Sequence, residues 1–164
     1  METVGYKGLR GFFAWVVLLV VVDQATKELV RANVPLFTSI NVIPGFFDVT
    51  HLQNKGAAFS FLSNVDSKWV GRGFSVLALL MIAFVSYLYA GLKVSDRLIK
   101  IGLTLITGGA AGNLADRLTI GSVTDFIDMY VAGHHWPPYN VADSCITVGA
   151  IIIGLDILKS PKSK

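Results

Sequence analysis

The chain has 164 residues, of which 53% are hydrophobic and only 15% charged, with a formal net charge of +3 and a mean hydropathy of +0.61. A soluble domain carries about 25% charge, so a water-soluble globule is excluded and a single integral-membrane domain is implied by length and composition together. No basic stripe with interleaved aromatics suggests nucleic acid, and the lone Cys145 excludes an intrachain disulfide or a multi-cysteine metal site.

Four apolar segments reach the ~20 residues that a helix needs to cross a hydrocarbon core of about 30 Å. The first runs over about 11–30. It leads straight into Asp23–Lys27 (DQATK) without a small-x-small cleavage site, so it reads as a retained span and not a removed signal peptide. The others cover about 69–92, 99–118 and 139–158, leaving longer loops at 31–68 and 119–138. In the first long loop, Leu36–Leu52 is rich in β-branched and aromatic residues around a Pro44–Gly45 turn signal, which predicts a small antiparallel sheet at the membrane surface. The expected fold is an all-α membrane protein of four transmembrane helices with a small extracytoplasmic β-sheet.

Orientation follows from Lys and Arg. Lys7 and Arg10 precede the first span, Lys93, Arg97 and Lys100 lie between the second and third, and Lys159, Lys162 and Lys164 end the chain, whereas 119–138 has none. Both termini are therefore expected in the cytoplasm and the long loops outside. On that topology Asp23, Asn113, Asp116 and Asp143 reach a similar, outward depth. Asp156, about 20 Å further along the last span at 1.5 Å per residue, belongs to the inner end and reads as a solvated or snorkelling side chain.

An aspartate central in a membrane helix costs roughly 2.5–3.5 kcal/mol on insertion scales, so several at one depth mark a function. Asp125 and Asp143 are the favoured pair. Two neighbouring carboxylates share a proton, so one activates water while the other protonates the scissile carbonyl or the leaving amine. The structural alternative makes Asp143 a first-turn residue complementing the helix dipole. Asp125 lies in VTDFIDMYV, which could dip back into the membrane surface. Asp116 and Arg117, with Asn113 a turn earlier, could orient the site, bind a phosphate-bearing lipid, or simply form an ion pair with each other. Asp23 and Lys27 have the i, i+4 spacing of a helix salt bridge. Asn54 could hold a substrate carbonyl or make a turn with Gly56.

Other chemistries fit poorly. No HExxH occurs, His134 and His135 sit side by side in a loop with His51 apart, and no serine stands in GxSxG. Ser144 lacks an evident base, and Cys145 reads as a small core residue. Readings from other classes are a proton- or cation-coupled transporter relaying through Asp23, Asp116 and Asp143, and a non-catalytic binder of lipid or of a membrane protein. The second span, which lacks an acidic residue, argues against the transporter.

The blocks DQATK, NKGAAFSFL, GGAAGNLADR, VTDFID and YNVADS, in this order and spacing, resemble bacterial lipoprotein signal peptidase (type II signal peptidase), a family of membrane aspartic peptidases. The resemblance covers nearly the whole chain. It implies cleavage of the signal peptide from prolipoproteins just before a diacylglyceryl-modified cysteine, at the outer face of the bacterial cytoplasmic (inner) membrane. It places the catalytic aspartates at Asp125 and Asp143, with Asp128 outside the pair. Supporting residues fall on Asp23, Lys27, Asn54, Gly56, Gly109, Asn113, Asp116, Arg117 and Asn140; Asn54, Asn140 and Arg117 are expected to hold the peptide backbone. No metal and no cofactor is implied. Prolipoproteins and membrane lipids are the expected partners, without nucleic acid, and a monomer is expected. Thr124 stands where the family usually has Val, and Tyr139 where it has Phe; both exchanges conserve size and neither removes a titrating group.

Overall fold

A computed structural model describes residues 4–56 and 67–159. The Ala57–Leu62 part of the NKGAAFSFL block and the tail residues Lys162 and Lys164 lie outside the described residues, as do the side chains of Lys7 and Lys68. The chain runs α1 (Gly5–Asn33), β1 (Ser39–Ile43), β2 (Phe47–Asn54), α2 (Ser67–Gly91), α3 (Arg97–Thr119), β3 (Val123–Val131), β4 (His134–His135) and α4 (Val141–Lys159). Each of the four helices contains a segment long and apolar enough to cross a membrane. Their large apolar side chains point outward: Trp15, Val21, Leu80, Phe84, Leu155 and Leu158 are all exposed, as expected where lipid is the surrounding solvent.

α1 has 29 residues, about 43 Å at 1.5 Å per residue, so it exceeds the hydrocarbon thickness. It ends where Val34 turns extended ahead of Pro35, which disfavours a helical residue before it. Inside the bundle, Phe12, Val16, Val85, Tyr89 and Leu103 form an apolar cluster, with the Phe12 and Tyr89 rings 4.3 Å apart.

α3 and α4 approach through glycine. A Cβ on Gly102 would stand 2.8 Å from the Gly149 carbonyl oxygen, one on Gly149 would stand 2.6 Å from that of Gly102, and one on Gly109 would collide with the Ala142 carbonyl. Small residues let membrane helices pack backbone to backbone, and here they bring the start of α4 against the later turns of α3.

The sheet sits at the end of the bundle reached by the C-termini of α1 and α3 and the N-terminus of α4. Its strands are antiparallel in the order β1-β2-β3-β4. Pro44 and Gly45 make the β1–β2 turn, with Gly45 at φ +78° and Phe46 N–H donating to Ile43 O at 3.0 Å, the pattern of a type II turn. The sequence expectation of a sheet in Leu36–Leu52 therefore holds, but the sheet is larger. VTDFIDMYV is β3, whose Asp125 is the register partner of Leu52 and whose Thr124 partners Gln53. Beyond β4 the chain turns back along β3, where Tyr139 and Ile127 exchange two backbone bonds at 2.8 and 3.1 Å. That bridge delivers Asn140 and the first turn of α4 beside Asp125.

Candidate active site

Asp125 and Asp143 are brought together by Asn140. The Asn140 Nδ2 donates to Asp125 Oδ1 at 2.7 Å and to Thr124 O at 3.2 Å. Its Oδ1 accepts the Asp143 backbone N–H at 3.0 Å, and the Asp143 Oδ2 accepts the Asn140 backbone N–H at 3.3 Å. The last two bonds form a reciprocal capping box, satisfying N–H groups that a helix start leaves orphaned. Asp143 is thus the first-turn residue of the structural alternative and a neighbour of Asp125 at once. Asn140 is fully buried and its amide is engaged at both ends, on Asp125 and Thr124 through Nδ2 and on Asp143 through Oδ1.

Asn54, at the end of β2, donates to Asp125 Oδ2 at 3.1 Å and accepts the Gly56 N–H at 2.8 Å. The turn with Gly56, at φ +87°, and the polar contact therefore coexist. Burial pushes the Asp125 carboxyl up to about 6; the Asn54 hydrogen bond opposes this, the Asp143 charge adds to it, and the Asn140 bond and the Lys27 charge oppose it. Asn113 Nδ2 donates to Asp143 Oδ1 at 2.7 Å, so each aspartate is aimed by side-chain amides.

Behind the pair lies a buried ionic layer. Lys27, with no exposed surface, reaches Asp23 at 2.8 Å and Asp116 at 3.3 Å and donates to Asn113 Oδ1 at 3.0 Å. The ammonium is shared between two buried carboxylates, and Arg31 adds a second cation 3.4 Å from Asp116, compensation that charges in a low-dielectric interior require. These carboxylates also hold backbone: Asp23 accepts Ala142 N–H at 2.9 Å through Oδ1, the oxygen turned away from Lys27, and Asp116 accepts Thr124 N–H at 2.8 Å through Oδ2, the same oxygen that faces Lys27. The residue before Asp143 and the residue before Asp125 are each pinned by one of them. Gly112 leaves room for Asp23, whose Oδ2 would lie 2.7 Å from an added Cβ.

Asp116 does not pair with Arg117, the arrangement offered as an alternative from their adjacency. Successive helical side chains diverge, and Asp116 turns to Lys27 while Arg117 lies over the Phe74 ring at 5.3 Å and donates to Asn113 O at 3.3 Å. Asp128 is absorbed elsewhere, bonded to His135 Nδ1 at 2.9 Å, and His51 Nδ1 bonds to Val34 O at 2.8 Å.

Gln24 and Arg31 escaped the sequence reading, which noted Thr124 only as an exchange that conserves size. Gln24 donates to Asp116 Oδ1 at 2.9 Å, Arg31 donates to Thr124 Oγ1 at 3.0 Å, and Thr124 is buried between them and the site. Arg31 continues the Asp23–Lys27 series at i+4, a signal that was available. Thr for Val at 124 is more than a matter of size, since its hydroxyl is bonded. A cavity of about 940 Å³ opens beside Asp143, lined by Asn54, Trp136, Tyr139, Asp143, Ser144 and Thr147 among others, the concave setting expected of a ligand site.

The family model described as signal peptidase (SPase) II matches residues 15–159. The lipoprotein signal peptidase of Geobacter metallireducens is 46% identical over 143 residues, covering 87% of this chain and 86% of that one. The lipoprotein signal peptidase of Shewanella oneidensis is 45% identical over 161 residues, covering 96% and 91%. A solved bacterial membrane enzyme superposes with a TM-score of 0.81 at 29% identity, over 98% of this chain and 99% of that one. With four membrane-length helices and these matches along nearly its full length, the chain belongs to the signal peptidase II family and is a multi-pass bacterial membrane protein.

Proposed function

We propose that this enzyme cleaves the signal peptide from diacylglyceryl-modified prolipoproteins, immediately before the lipidated cysteine, with Asp125 and Asp143 as its catalytic pair. The observation that carries the reading is Asn140, which bonds both aspartates while burial raises one of them, Asp125, to about 6. The ionised member accepts a proton from a water between the two as that water attacks the scissile carbonyl carbon. The protonated member gives its proton to the carbonyl oxygen, yielding a neutral gem-diol. Collapse of that intermediate breaks the C–N bond, with a proton passing through the pair to the leaving amine, so the dyad ends with the one proton it began with. Carboxylates and water supply all of this chemistry.

Asn54, Asn113 and Asn140 aim the two carboxyls, Asp23 and Asp116 hold the backbone behind them, and Lys27 and Arg31 balance those two. Arg117, which lies over the Phe74 ring, is the residue we assign to substrate contacts. The cavity between the sheet and α4 meets the apolar bundle at Asp143, where a bilayer would present a lipid-anchored cysteine at fixed depth. Holding a reactant in place is worth about 7–11 kcal/mol of barrier, so the anchor does the work that a large peptide-binding domain does elsewhere. The site then faces outward from the bacterial cytoplasmic membrane, with both termini in the cytoplasm.

The test is cleavage in proteoliposomes of one prolipoprotein with and without its diacylglyceryl group. The lipidated form should be cut before cysteine, and the unlipidated form very slowly even at high concentration. Equal rates would sink the lipid-anchored reading and leave a general intramembrane protease.

A further inference from the structure

We propose that Arg31 is a positioning residue for the reaction, acting through the hydroxyl of Thr124 to fix the start of β3 and with it Asp125. The inference rests on the peptidase reading above. Its geometry is specific. Arg31 Nη1 stands 3.0 Å from Thr124 Oγ1 and 3.4 Å from Asp116 Oδ1, and its Nε pairs with Glu28 at 2.9 Å. Asp116 in turn takes the Thr124 N–H at 2.8 Å, and Asn140 donates to the Thr124 carbonyl.

The residue immediately before Asp125 is therefore held at its N–H, its C=O and its side chain, by α3, by the cap of α4 and by α1 respectively. The segment needs such restraint. It follows a turn at Gly121, whose φ is +76°, and it is the first stretch of its strand, where fraying is easiest. Thr124 has no exposed surface and Arg31 retains about a fifth of its own, so a planar fork reaches from the rim to a buried hydroxyl, a task suited to guanidinium and not to ammonium. Three elements converge on one residue, and removing the α1 contribution leaves strand start and carboxyl free to shift together.

Thr124→Val keeps volume and removes the hydroxyl, whereas Thr124→Ser keeps the hydroxyl. Thr124→Val and Arg31→Gln should each lower kcat roughly tenfold or more at little changed KM, in line with the cost of small misplacements of reacting groups. Thr124→Ser should stay near wild type and Arg31→Lys should resemble Thr124→Val. The double variant Arg31→Gln/Thr124→Val should fall no further than Arg31→Gln alone, because the two residues share one bond. Glu28→Gln, at an exposed partner of Arg31, should leave kcat unchanged.

Amide hydrogen exchange in the purified full chain provides a readout apart from activity. Protection at Thr124 and Asp125 should drop in Arg31→Gln and Thr124→Val. Unchanged kcat and unchanged exchange in both variants would overturn the proposal, as would a merely lower melting temperature with wild-type kcat, which would mark Arg31 as structural. If the wild-type protein cleaves nothing, the peptidase reading fails instead, and the exchange measurement alone decides whether Arg31 clamps the strand.

Discussion

Asn140 Nδ2 lies 2.7 Å from Asp125 Oδ1, joining a side chain at the mouth of a helix to one in mid-sheet. Because the same residue also closes the capping box with Asp143, the helix start and the strand cannot shift independently. Secondary-structure capping and orientation of the carboxyl pair are one set of bonds. Disturbing any member should be felt at both aspartates.

Asp125→Asn and Asp143→Asn should each abolish cleavage while the protein still inserts and purifies. Either change leaves a site of similar shape without an acid–base couple, and residues acting as a unit lose activity together. The check is turnover of lipidated substrate by equal amounts of monodisperse protein. Near-wild-type turnover in either variant would contradict the two-aspartate mechanism.

The pH dependence has a definite sign. Asp125 is raised from 3.8 to about 6, so the pair loses its shared proton as pH rises through that region, and kcat/KM should fall above about pH 6. Removing the Asn54 amide, which favours the ionised form, should move that falling limb to higher pH in Asn54→Ala. For stability the raised group contributes fully below its unfolded value of 3.8, and the contribution is lost as pH rises through about 6. Melting curves of wild type and Asp125→Asn across pH 4–8 should therefore diverge with rising pH in favour of the neutral variant.

Lys27→Met should be severely destabilising. It leaves Asp23 and Asp116, both buried, without their shared cation, and breaking a buried pair from one side costs about 3–5 kcal/mol. Thermal unfolding in detergent measures this. Lys27→Met combined with Asp23→Asn should recover part of the loss.

Gly109→Ala should lower both the melting temperature and activity, because its methyl would collide with the Ala142 backbone carbonyl. Backbone cannot rotate away, and overpacking of this kind costs about 1–3 kcal/mol. Ala142 N–H is the group held by Asp23, so displacement of α4 is transmitted to the first turn that carries Asp143. Wild-type activity in this variant would show that the helix contact is slack.

Membrane sidedness is testable by labelling. In a Cys145→Ala background, a cysteine at Lys93 should be shielded from an impermeant thiol reagent in intact cells and one at Gly133 labelled. Both positions are exposed. The opposite pattern would put the aspartates on the cytoplasmic side and remove the proposed role.

Much of this architecture was legible in the amino-acid order. Hydropathy windows marked four membrane-length helices, the Pro44–Gly45 pair marked the first hairpin, and the Asp23–Lys27 spacing marked its ion pair, because each is a local property of consecutive residues. The linear motifs also marked Asp125, Asp143 and their amide neighbours as the candidate site. What only the tertiary structure decided is how the polar groups are shared. VTDFIDMYV has the composition of either a strand or a surface segment, and it becomes β3 because β2, more than 70 residues earlier, offers an open edge. Asp116 chose Lys27 and left its neighbour Arg117, because in a buried layer position on the helix face outweighs adjacency in sequence. The Asn140 amide is engaged on Asp125, Thr124 and Asp143. Local pattern determines which segments are helical and where charge must be compensated; only packing decides which partner compensates it, since buried hydrogen-bonding capacity is finite and is allocated in three dimensions.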